Sequence, residues 1–130
     1  MIKFIYGTAW KGEITGSCVY RALKAGFRGI DTANQPKHYH EEGVGAGVSR
    51  AISRLKLKRK DLFLQTKFTY ADFQDRGLPY DKNSSPGDQA RQSLESSLEH
   101  LKTPYLDSFL MHSPQLEEGL TATDWEVWKT

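Results

Sequence analysis

Apolar residues recur along this chain in two alternating rhythms. Short β-prone runs are separated by longer stretches in which apolar positions return every three or four residues. Ile2 to Tyr6 is a run of the first kind, closed by Gly7-Thr8. Thr15 then offers a helix cap, Val19, Ala22 and Leu23 share one face, and Gly26 supplies a stop. Phe27 to Ile30 reads as a second short strand delivering Asp31 at its end, followed by a polar loop from Thr32 to His40. Val44, Val48, Ala51, Ile52 and Leu55 make a helical stripe. Leu62 to Lys67 predicts a third strand. Tyr70 to Ser84 is irregular and rich in Asp, Pro, Gly and Asn, a loop length that tends to carry function. Ser85 before Pro86 opens a third helix, with Ala90, Leu94, Leu98 and Leu101 as its expected buried stripe. Tyr105 to Met111 is a fourth strand ending at His112, and Thr121 to Lys129 a fourth helix.

Strand and helix thus alternate without a hairpin signal, which argues for an α/β protein with a parallel sheet and crossover helices. The strands are short and mostly apolar, as in sheets covered on both faces. A doubly wound sheet and a closed barrel both satisfy the pattern.

Composition narrows the field without choosing a function. The chain has 130 residues, 26% of them charged, with a net charge of +2, so residues 1–130 are expected to form one domain. The basic run from Arg54 to Lys60 reads as a solvated helix end, and no aromatic platform accompanies it, which argues against a nucleic-acid partner. The single cysteine, Cys18, excludes an internal disulfide and fits a reducing compartment as a small packing residue. No apolar run approaches the roughly 18 residues of a membrane span. With no signal-peptide layout at the N-terminus, the expected location is cytoplasmic.

Chemistry enters at the strand ends. Asp31, Lys67 and His112 close the second, third and fourth strands, and parallel α/β folds gather their sites at those C-terminal ends. A carboxylate, an ammonium and an imidazole would then face one pocket.

The same segments carry a family resemblance. Gly7-Thr8-Ala9-Trp10-Lys11, Gly26 to Ala33, Gln65-Thr66-Lys67-Phe68, the Ser93-Leu94 pair repeated at Ser97-Leu98, and Tyr105 to Pro114 resemble, in order, the aldo-keto reductase family. The resemblance implies a (β/α) barrel of the TIM type, of which about four of eight strand-helix units are present. It also implies NADP(H) as cofactor and reduction of a small-molecule aldehyde or ketone to an alcohol. The family's catalytic Asp, Lys and His match Asp31, Lys67 and His112. Its tyrosine matches less directly, because the segment from Asn34 to Glu41 is about two residues longer than usual and has His40 where the family has Asn. Counted back from Glu41 without a gap, the position falls on His38. The need for a phenol as proton donor selects Tyr39, the only tyrosine of the loop, with His38 as the alternative. By resemblance, Gly7, Thr8 and Asp31 lie near the nicotinamide, while Trp10 and His112 line the substrate pocket. A lysine beside the phenol is expected to lower its pKa from about 10. Asp31 would hold that lysine, and His112 would orient the carbonyl.

Two other motifs are set aside. Gly43-Val44-Gly45-Ala46-Gly47 lacks the last glycine of a dinucleotide fingerprint and follows a loop, so close packing of a helix on the barrel explains it better. The His38-Tyr39-His40 pair of imidazoles sits beyond the strand end with no second ligand cluster, so no metal is expected. A half-length barrel would expose the edges of its first and fourth strands. That gives a second reading, a truncated and catalytically incompetent half-barrel that self-associates or pairs with a partner chain.

Overall fold

The computed structural model describes residues 4–130. Four strands, β1 (Ile5–Gly7), β2 (Gly29–Asp31), β3 (Phe63–Phe68) and β4 (Ser108–Met111), alternate with helices α1 (Thr15–Lys24), α2 (Glu41–Leu55), α3 (Pro86–Leu101) and α4 (Ala122–Lys129). Met1, Ile2 and Lys3, the start of the first expected strand, lie outside the described residues.

The strands run parallel in the spatial order β1-β2-β3-β4. This order decides between the two architectures. A doubly wound sheet reverses direction partway and puts helices on both faces, whereas successive right-handed crossovers in sequence order put every helix on the same face. Tyr6, Ile30 and Leu64 are register partners and pack together with Val19, Leu23, Val44, Val48, Ala51 and Leu101 from α1, α2 and α3. The result is four consecutive units of a (β/α) barrel. Burying side chains such as Leu23, Ile30 and Leu64 contributes about 1.5–3 kcal/mol each.

The expectation of strands covered on both faces does not hold. In β3 burial alternates: Leu64, Thr66 and Phe68 are buried under the helices, while Phe63, Gln65 and Lys67 are only half-buried on the concave face. The alternation is the strand's two-residue period, with one face packed on the helices and the other lining the concave side of the four units.

Helix ends follow their local chemistry. The Ser85 hydroxyl accepts the Asp88 amide and Pro86 occupies the first turn of α3. Thr121 and Asp124 cap α4 reciprocally. Thr15, in contrast, is the first residue of α1 and not its cap. A 3-10 turn over Gly12–Ile14 leads into the helix, and the Thr15 hydroxyl donates back to the Gly12 carbonyl at 2.7 Å.

Three expectations are corrected by packing. The buried stripe of α3 is Gly87, Ala90, Ser93, Ser97 and Leu101, with Leu94 and Leu98 only half-buried. Ser97 meets Glu41 of α2 and Leu101 clusters with its Val44, Val48 and Ala51, while Leu94 turns toward an apolar cavity shared with Phe68, Phe109, Met111 and Val127. The glycines of α2 pack it against neighbouring helices, not the sheet: a Cβ on Gly47 would lie 2.6 Å from the Gly16 carbonyl, and one on Gly45 would strike the His100 carbonyl. The basic run is not merely a solvated end, since Arg59 is half-buried and bonds across to the approach of β4.

Candidate active site

The C-terminal ends of β2 and β3 build the centre of the site. Asp31 is the last residue of β2 and pairs in register with Gln65. Its two carboxylate oxygens are divided between neighbours on β3: Gln65 Nε2 donates to Oδ1 at 2.8 Å and Lys67 Nζ to Oδ2 at 2.7 Å. Lys67 also donates to the Thr32 carbonyl at 2.7 Å. With side-chain exposures of 13% for Lys67 and 21% for Asp31, the pair is sheltered yet open to the concave face.

The polar loop after β2 folds back over this pair. Asn34 N–H donates to the Lys67 carbonyl at 3.1 Å, and the amides of His38 and Tyr39 both donate to the Gln35 carbonyl. The turn so formed carries the Tyr39 ring to 5.1 Å from Lys67 Nζ and into an edge contact with His112, 5.8 Å between ring centroids. His112 follows β4, and its Nδ1 lies 2.9 Å from the Thr69 hydroxyl. Asp31, Lys67, Tyr39 and His112 therefore converge. His38 does not join them: its ring stacks on Trp10, 3.8 Å between centroids.

Electrostatics at the site departs from expectation in one respect. The Tyr39 phenol is pushed above its ordinary pKa, by burial first and by the Asp31 carboxylate second. The Lys67 ammonium, committed to Asp31 and the Thr32 carbonyl, does not offset that rise. Burial and the Lys67 charge push His112 below the ordinary imidazole value, with Asp31 opposing and His38 adding to the depression. Tyr39 is thus a protonated phenol and His112 a neutral ring at neutral pH.

The remaining expected residues divide. Gly7 ends β1 opposite Asp31, and a Cβ there would meet nothing within 4 Å, so space is open beside the carboxylate. Thr8 offers a ligand no surface. It is fully buried, and its amide and hydroxyl both donate to the Asp31 carbonyl, at 3.1 and 2.8 Å, so it fixes Asp31 in place. Trp10 is 74% exposed and has a positive φ of 62°. A bulky residue in that left-handed region stores about 1–3 kcal/mol of strain. The indole lines a cavity with His38, Tyr39, Glu13, Glu42 and Arg76.

Behind the loop lies a buried network that the sequence reading did not identify. Glu41, 3% exposed at the start of α2, accepts from the hydroxyls of Thr66 and Ser97, and its Oε2 lies 3.1 Å from His100 Nδ1. Asn34 Nδ2 donates to the Ser97 hydroxyl and the Ser93 carbonyl. The hydrogen bond to Glu41 raises the His100 pKa against the effect of burial. A polar series at 93, 97 and 100, on one face of a helix, was the available signal. The 70–84 loop is likewise tied to the site, through Gln35 to the Phe73 carbonyl and Gln74 to the Asn34 carbonyl. Among the described residues no three His, Cys, Asp or Glu side chains gather to hold a metal ion, and no helix is long and apolar enough to cross a membrane.

Comparison with known proteins bears on this arrangement. The profile of the Aldo/keto reductase family matches residues 13–129. An NAD(P)H-dependent D-xylose reductase of Scheffersomyces stipitis is 34% identical over 108 residues, covering 81% of this chain and 29% of that protein. The methylglyoxal reductase DkgA of Salmonella typhimurium is 35% identical over 107 residues, 81% of this chain and 32% of that protein. Among solved structures, an aldo/keto reductase from Brucella melitensis superimposes with a TM-score of 0.68 at 30% identity, covering 96% of this chain and 42% of that one. A Bombyx mori aldo-keto reductase in complex with NADP gives 0.68 at 25% identity, over 96% and 41%. The chain spans about 30% of the length of these curated relatives. With the profile covering nearly all of it and the fold agreeing, the chain belongs to the aldo/keto reductase family.

Proposed function

We propose that this chain carries the carbonyl-reducing site of an NADP(H)-dependent aldo-keto reductase, with Tyr39 as the proton donor. The convergence of Tyr39, Lys67 and His112 around Asp31 is the observation that supports it. A nicotinamide cofactor bound over Gly7 and Asp31 would supply the hydride that turns the carbonyl carbon into an alcohol carbon. The open space over Gly7, where no side chain intrudes, suits a flat ring.

The chain's own residues account for the rest. A neutral His112, its Nδ1 engaged by Thr69, has Nε2 left to hold the carbonyl oxygen. As charge develops on that oxygen, the protonated Tyr39 releases its hydroxyl proton to it, and solvent later restores the phenol. The raised phenol pKa keeps the proton in place until then. Lys67, pinned by Asp31, presents a fixed positive charge to the phenolate left behind.

The test is NADPH-dependent loss of absorbance with a generic aldehyde. Tyr39→Phe is expected to lower turnover by about 100-fold or more. Turnover that survives the substitution would remove Tyr39 from its role. A second reading, association through strand edges, is favoured by the apolar cavity bordered by Phe68, Leu94, Phe109 and Trp128. It requires a dimer or larger species by sizing and no turnover.

A further inference from the structure

We propose that Gln74, in the loop between β3 and α3, is a positioning residue for Tyr39. Its amide and that of Gln35 cross-link two loops and so fix the turn that holds the phenol beside Lys67 and His112. The proposal rests on the reductase reading of the same site.

Tyr39 lies well beyond the end of β2, in a loop that no strand carries. Its backbone hangs from one group, since the amides of His38 and Tyr39 both donate to the Gln35 carbonyl at 3.0 Å. The direction of that carbonyl therefore sets where the phenol lies. Gln35 precedes Pro36, whose ring disfavours a helical backbone at Gln35. What remains to be fixed is the tilt of the peptide unit joining Asn34 to Gln35. Two bonds to the other loop fix it. Gln74 Nε2 donates to the Asn34 carbonyl at 2.8 Å, and Gln35 Nε2 donates to the Phe73 carbonyl at 3.0 Å. Each loop gives one amide and one carbonyl, so a shift of either strains both bonds.

The far side of this cross-link is rooted in the core. The amides of Phe73 and Gln74 donate to the Tyr70 and Ala71 carbonyls at 3.0 Å, closing a 3-10 turn over Ala71–Phe73. Tyr70 is buried against Phe68 and donates to Asp124, and the buried Tyr80 donates to the Thr69 carbonyl at 2.7 Å. The Thr69 hydroxyl meets His112, so one root serves both the imidazole and the phenol. Stability does not account for Gln74. Its Oε1 is buried with no hydrogen-bond partner among the described residues. Such an orphan costs at least as much as one ordinary hydrogen bond contributes, so what the Nε2 bond supplies is direction. The Lys37–Asp75 ion pair, at 3.7 Å, spans the same two loops with both side chains exposed, where such a pair is weak.

The test follows the Tyr39 ring by NMR in the chain carrying carbon-13-labelled tyrosine, its signals assigned by their loss in Tyr39→Phe. The parent is expected to show a nuclear Overhauser contact between this ring and the His112 imidazole. Its phenol should titrate above the ordinary value, raised by burial and Asp31. Gln74→Met keeps the side-chain length and removes the donor. It is expected to lose the contact and bring the titration toward the ordinary value, with the thermal midpoint nearly unchanged. Gln74→Asn, whose amide is one methylene too short, should give the same changes at smaller amplitude. Asp75→Asn should give none. A Tyr39 ring unmoved in both Gln74 variants would sink the proposal. So would an equal change in Asp75→Asn, or a Gln74→Met chain that does not fold while Gln74→Asn folds with its ring in place. None of these signals needs turnover. Where turnover is measured, Gln74→Met should lower kcat about ten-fold with KM nearly unchanged. Full turnover despite a displaced ring would overturn the link to the reaction, whereas failure of the Tyr39→Phe test would remove the reductase reading and leave the cross-link standing.

Discussion

Two ion pairs of equal length stand at opposite ends of the sheet. Lys67 and Asp31 meet at 2.7 Å at the C-terminal ends of the strands, and Arg59 and Asp107 meet at 2.7 Å near the N-terminal ends of β3 and β4. Arg59 spends its donors on Thr103, the Leu62 and Tyr105 carbonyls and Asp107, and lies over the Tyr105 ring at 4.1 Å. Asp107 also accepts the Leu64 amide. That pair is closed, and it staples the entry to β3 against the entry to β4. Lys67 has three ammonium hydrogens and places two, with a phenol ring beside it. A planar, five-donor guanidinium suits the closed role and a compact ammonium the open one. The two pairs match in length and differ in the hydrogen-bonding capacity left over.

Substitutions can break this contrast. Lys67→Met is expected to lower aldehyde turnover by about 100- to 10,000-fold. Its stability cost should be smaller than that of removing Arg59, because beyond the carboxylate it frees one acceptor, the Thr32 carbonyl, where Arg59 serves three. Equal loss of stability and activity would make Lys67 a second staple. Arg59→Ala should do the reverse, costing about 3 kcal/mol in urea unfolding by stranding Asp107 and three acceptors. Any turnover lost should follow the unfolded fraction.

Asp124 sharpens the comparison from a third place. It is 1% exposed, and although burial works to raise its pKa, hydrogen bonds from Thr121, Tyr70 and Gln115 hold it at about 2. Asp124→Asn should cost about 2 kcal/mol, read as a lower thermal midpoint, with Tyr70 losing its charged acceptor. The stabilisation from the native carboxylate is present above its unfolded pKa. It should fade as pH falls through about 2. A flat stability profile in strong acid would contradict the bonding pattern.

The smallest expected effects are in histidine titrations followed by NMR. His112, depressed in the folded state, contributes stability above the unfolded imidazole pKa and loses it as pH falls through its lower folded value. His100, raised by Glu41, contributes below the unfolded value and loses that as pH rises through its higher folded one. Glu41→Gln should return His100 toward the ordinary value and leave His112 unmoved. If both shift together, the network behind the loop and the rim are one electrostatic unit.

Much of this could be read along the chain. The alternation of two periodicities gave the four units in order, because burial of one face imposes a period wherever local structure is regular. Asp31, Lys67 and His112 were legible since a strand's end is a local feature and parallel strands align such ends. That Tyr39, and not His38, lies beside Lys67 and His112 was reachable only through the demand for a phenol.

Other features depended on three-dimensional contacts. Ser97 of α3 is buried where Leu94 and Leu98 are not, because Glu41, far away in sequence, offers its hydroxyl an acceptor. Arg59 looked like one of a run of solvated charges until Asp107 and Tyr105 came within reach. His38 and Trp10, on separate loops, meet only when β1 and β2 pair. Sequence by itself determined which residues recur on which face and which end each strand. Only the tertiary structure decided which polar groups would satisfy one another, because a buried donor is placed by partners that periodicity does not record.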